Sequence, residues 1–133
     1  MKGLLMLFEP SVSDANNNNL LRKFVGVLIS TSGVTHVLQY WVYAPEQRVL
    51  AAVALASGFV LLILGPSLLL RQSAGWLWFA ITLHTVVAPA HIYRIVFMVS
   101  TPITIFHFVV VCLVVPTCAY LLFNQSEQPT EPD

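Results

Sequence analysis

Four apolar runs, Phe24 to Tyr43, Val49 to Leu70, Ala74 to Tyr93 and Ile103 to Phe123, divide the chain, with polar or charged clusters between and beyond them. Each holds 20 to 22 residues, the length that carries a helix across about 30 Å of hydrocarbon at ~1.5 Å per residue. Lipid offers no partner to a backbone N–H or C=O, so runs of this kind are predicted to be helices. None of them alternates with a period of two, which argues against a β-barrel. The connections Ala44–Arg48, Arg71–Ser73 and Arg94–Pro102 are short. The pattern therefore predicts an all-α integral membrane four-helix bundle with antiparallel neighbours and both termini on one side.

Composition agrees with the pattern. Of 133 residues, 57% are hydrophobic and only 9% charged, and the mean hydropathy is +0.79; a soluble domain carries roughly a quarter of its residues charged. Lys2, Arg22, Lys23 and Arg71 fall on the terminal side, Arg48 and Arg94 towards the other. By the positive-inside rule the termini are predicted to be cytoplasmic. Residues 1–23 read as an N-terminal tail, with an interfacial GLLMLF patch and a flexible run from Asn16 to Asn19. The apolar stretch in KGLLMLF is too short for a cleaved signal. Residues 124–133 read as a disordered acidic tail.

Helices in lipid associate through close backbone approach, so small residues at helical spacing mark contact faces. Gly26, Ser30 and Gly33 form one such stripe, and Ala51, Ala54, Gly58 and Gly65 another. Pro66, Pro89 and Pro116 each remove a backbone donor and free the carbonyl four residues earlier. Pro89 is expected to kink the third helix between His84 and His91. Cys112 and Cys118 are about 9 Å apart along one helix, beyond disulfide reach, and read as soft packing residues.

The polar positions inside these runs carry the candidate chemistry. His84 and His91 share a face of the third helix with Ala88 between them, His36 lies on the first helix ahead of Tyr40 and Tyr43, and His107 opens the fourth. Counted from the cytoplasmic edge, His36 and His84 lie at roughly 15 to 18 Å, and His91 and His107 at roughly 24 to 26 Å. These levels admit four readings: imidazoles hydrogen-bonded as interhelical glue, a functional polar pocket, a bis-histidine haem b site, or a bare metal site. A quinone suits the second and is favoured over haem; the bare metal site is not the expected one. Arg94 either snorkels to the outer interface or pairs with Glu46.

Absences narrow the function further. No Asp or Glu lies inside the four runs, which argues against a proton-coupled cation exporter. There is no phosphate-binding glycine loop, no nucleophile with an adjacent base and no basic stripe for nucleic acid.

The stretch SGVTHVLQYWVYAP, Ser32 to Pro45, resembles the first-helix signature of the DoxX-like membrane proteins. The likeness continues through a glycine-bearing second helix, Arg71, Gly75 and Trp76, and the element APAHIYR, where His91 stands at the family's usual Asn. It covers roughly residues 24–123, with Gly33, His36, Pro45, Pro89 and Tyr93 at matching positions. The resemblance implies a four-helix protein of the cytoplasmic (inner) membrane, often an accessory subunit of quinone-linked or thiol-redox systems. The expected ligand-binding set is His36, Tyr40, Tyr43, His91, Tyr93, Arg94 and His107, near the outer face. The expected partners are the lipid bilayer and other membrane redox subunits or further copies of the chain, and a non-catalytic subunit is favoured over an enzyme. A structural or assembly subunit, and a small-ligand carrier or permease, are the alternative readings.

Overall fold

The computed structural model describes residues 12–45, 47–71, 73–98 and 101–126, with side chains from residue 16 to residue 125. It contains four helices and, among these residues, no strand: α1 Val12–Tyr43, α2 Arg48–Leu70, α3 Ala74–Phe97 and α4 Pro102–Ser126. Three of them, α2, α3 and α4, are long and apolar enough to cross a membrane. In α1 the polar residues Ser30, Thr31, Ser32, Thr35, His36 and Gln39 dilute the apolar run, so it falls short on composition where a fourth span was expected. Most of those groups are satisfied within the protein. Ser30 and Thr31 donate to the carbonyls of Gly26 and Val27 one turn back, and Ser32 and Gln39 are buried. Large apolar side chains meanwhile cover the outside: Val49, Leu70 and Phe97 are more than 70% exposed, which suits lipid and not water.

Two boundaries differ from the sequence pattern. The first helix begins at Val12 and takes in Asn16 to Asn19, where a flexible run was expected. Once a long helix is nucleated, each added residue contributes a backbone hydrogen bond, and this outweighs the modest helix propensity of Asn. The extension also has a partner, because Asn124 Nδ2 donates to Asn18 Oδ1 (3.3 Å) where the last helix runs out alongside it. At the other side α3 continues through Arg94 to Phe97. The GLLMLF patch and residues 127–133 lie outside the described residues.

The helices form a ring in the order α2, α1, α4, α3. Contact is most extensive between α1 and α2, then α4 and α3, then α1 and α4. The closing pair, α2 and α3, touches least although only residues 71–73 join it. Between α1 and α2 the backbones meet at glycines. A β-carbon at Gly33 would stand 3.0 Å from the Gly58 carbonyl oxygen, and one at Gly58 would stand 2.9 Å from that of Gly33. One turn set further along, a β-carbon at Gly65 would meet the Gly26 carbonyl oxygen at 2.7 Å. Gly26, Ser30 and Gly33 of one stripe thus meet Gly58 and Gly65 of the other in one seam. Arg22 fastens its end: the guanidinium is buried and Nη1 donates to the carbonyl of Arg71 (3.1 Å), the C-cap of α2. A cation there also faces the negative end of the helix dipole. The apolar core, including Val25, Ile29, Leu64, Leu77 and Val114, fills the half of the bundle on this side.

Candidate functional site

The other half is not filled. A cavity of about 350 Å³ lies among all four helices, and its lining includes His36, His84, His91 and His107, together with Ser32 and Ser57. The remaining wall is aliphatic, from residues such as Val53, Val60, Val87 and Val110. Val53, Ala56, Val60 and Ala90 line the cavity and are themselves exposed. These four belong to α2 and α3, so the cavity opens sideways through the loose seam between them.

Three of the histidines cluster. His36 Nδ1 and His107 Nε2 are 3.0 Å apart with ring centroids at 3.9 Å, and the His91 ring lies 5.7 Å from that of His107. Thr35 Oγ1 donates to the Ser32 carbonyl (2.8 Å) and stands 2.7 Å from His107 Nε2. This couples α1 to α4 by hydrogen bonds. His84 stands apart. Its Nδ1 is 2.8 Å from the carbonyl of Ala80, an acceptor only, so Nδ1 carries the proton and donates.

The two depth levels therefore do not describe the pairing. His36 meets His107, which the residue count placed roughly 6 to 8 Å nearer the outer face; that count took each helix as upright and as starting at a shared plane. Nor does His84 use the carbonyl released by Pro89: it bonds to Ala80, and α3 continues as helix through Pro89. Of the same-level pairs, the His91 and His107 rings lie 5.7 Å apart, while His84 is engaged with the Ala80 carbonyl and not with His36. Among the described residues no group of three or more His, Cys, Asp or Glu could hold a metal ion.

The tyrosines and Arg94 fall outside the cavity lining. Arg94 Nη2 donates to the Tyr43 hydroxyl (2.9 Å) and its guanidinium carbon lies 5.7 Å from the centre of that ring. Glu46, the partner considered from the sequence, lies outside the described residues. Tyr40 stacks edge-on against Trp41. Tyr93 is 57% exposed and packs on Phe97; two residues beyond His91 it sits about 200° round the helix. Ser32, Ser57 and His84 belong to the lining but not to the expected ligand-binding set. Ser32 was findable, since it lies one turn before His36 on the same face. Ser57 has no such signal.

Cys112 and Cys118 are free thiols, the first exposed and the second buried in the core. Comparison with protein-family models, curated proteins and solved structures finds no match.

Proposed function

We propose that this chain is a multi-pass membrane protein that holds a small amphipathic ring compound, such as a quinone, in the histidine-lined cavity and serves a membrane redox system as an accessory subunit. One observation carries the reading: four imidazoles line a single cavity that opens through the α2–α3 seam. Aliphatic walls suit a ring and its tail, and a few convergent polar groups fix the orientation of polar substituents, as in small-molecule sites generally. An opening towards the outer surface of an apolar bundle admits a lipid-soluble ligand without a water-filled path. Imidazoles can offer hydrogen bonds to a quinone oxygen and pass protons near neutral pH.

In this reading α1 is the fourth span, its polar face turned inward. The opposed order of the contacts Gly26–Gly65 and Gly33–Gly58, and of His36–His107 and Asn18–Asn124, supports antiparallel neighbours. The positive-inside rule then puts both termini in the cytoplasm, and the DoxX-like motif from Ser32 to Pro45 supports the accessory role.

The test is photoaffinity labelling in lipid nanodiscs with an azido-benzoquinone. Labelled peptides should map to the cavity walls of α2 and α3, and excess unmodified quinone should remove the label. Labelling spread evenly over the lipid-facing surface and insensitive to competitor would refute the proposal.

A further inference from the structure

One side of the His84 imidazole has its hydrogen-bonding role fixed by the fold. It is 3% exposed, and its Nδ1–H is committed to the Ala80 carbonyl. A neutral imidazole with its proton on Nδ1 has a lone pair on Nε2 and can only accept there. No group among the described residues donates to that nitrogen. Yet none of their sealed side-chain nitrogens or oxygens lacks a partner, so Nε2 opens onto accessible space. For a side chain this deeply buried, that space is the cavity it lines.

His36 and His107 differ in this respect. They are hydrogen-bonded to each other, and between them one nitrogen donates and the other accepts, so a ligand must compete with an existing bond to engage that contact. At His84 a ligand meets an acceptor that has no competitor. An unpartnered acceptor in an apolar site favours a ligand that brings a donor and disfavours one that brings a second acceptor, because two facing lone pairs leave both groups unsatisfied. The cavity lining contains no carboxylate and no lysine or arginine, so it holds no permanent charge to pair with a charged ligand.

We infer that the cavity takes a neutral hydroxyl-bearing ring, with the hydroxyl donating to His84 Nε2. This rests on the cavity being a ligand site and adds the direction of its selectivity. His84 acts here as a binding and specificity residue.

The experiment uses two probes of one scaffold, 4-hexylphenol and its methyl ether 4-hexylanisole. Their affinities for the full chain in nanodiscs are measured by calorimetric titration. The phenol is expected to bind about tenfold more tightly, the scale of one well-formed hydrogen bond in a dry site. In His84→Leu the preference should vanish, while His84→Gln, which offers an amide oxygen, should restore part of it. Equal affinity of the two probes for the unaltered protein overturns the inference on its own, whatever the variants do, and leaves the cavity reading standing. A preference that survives unchanged in a folded His84→Leu protein also overturns it. Absence of binding by both probes removes the inference together with the cavity reading on which it rests.

Discussion

Helix α2 has two neighbours and treats them in opposite ways. Against α1 it presents Gly58 and Gly65, and the backbones approach until a single β-carbon would strike a carbonyl oxygen. Against α3 it presents Val53, Ala56 and Val60, and the two helices barely touch. In a bilayer apolar side chains gain little by leaving lipid for one another, so close packing and hydrogen bonds decide which helices stay together. The first seam has both, with Arg22 at its end. The second has neither, and the polar groups that would otherwise need partners across it face a cavity instead. The same helix is thus closely packed on one side and loosely packed on the other.

The sharpest way to break this comparison is to put bulk into the seam. Gly65→Leu should be the most damaging single change, costing about 3 kcal/mol or more in detergent unfolding, because backbone carbonyls cannot step aside as a flexible side chain would. Unfolding midpoints equal to those of the unaltered protein would mean that the seam is not tight.

Next in size is Arg22→Met. It removes a charge-assisted hydrogen bond to the Arg71 carbonyl and should lower stability by roughly 2 kcal/mol. Proteolysis near Arg71 should become faster. An unaltered cleavage rate would show that the end of α2 is held by other contacts.

On the cavity side, His107→Leu should cost only about 0.6 to 2 kcal/mol, the scale of interhelical hydrogen bonds in membranes. A double-mutant cycle with His36→Leu should give a coupling within that range. Zero coupling would mean that the imidazoles are bystanders in the packing of α1 on α4.

The smallest effect is expected from filling the gap. Ala56→Trp adds a large ring where the seam is open and should change stability by less than about 0.5 kcal/mol, while reducing azido-benzoquinone labelling of the cavity walls. A strongly destabilised protein would show that α2 and α3 close upon each other after all. Gly75→Ala serves as a control, since its β-carbon would make only an ordinary 3.5 Å contact with Ser73 Oγ.

Much of this fold was legible in the sequence because lipid allows so few alternatives. The second run was read as Val49 to Leu70 and the helix is Arg48–Leu70; the fourth was read as Ile103 to Phe123 and the helix is Pro102–Ser126. The glycine stripes were equally plain, since an exposed glycine has no packing role while two at seven-residue spacing on each of two helices do. Pairing between helices was harder. Spacing along one helix fixes which residues share a face, but tilt decides which face meets which neighbour at what depth, and so His36 came to rest on His107. Rotation about α3 separates Tyr93 from His91, and two residues of spacing were enough to show it. The looseness of the α2–α3 seam left no mark in the sequence, because Val53, Ala56 and Val60 are as suitable for a packed interface as for an open one.

On the reading proposed above, the histidine cavity is reached from the lipid between α2 and α3. That route is tested most directly by a nitroxide spin label at Ala90, in a Cys112→Ala, Cys118→Ala background in nanodiscs, using relaxation by dissolved oxygen and by a water-soluble nickel chelate. The structure leads us to expect strong relaxation by oxygen, which concentrates in lipid, and little by the chelate. Stronger relaxation by the chelate would mean a water-filled vestibule, and protection from both would mean a closed bundle; either result would contradict the account.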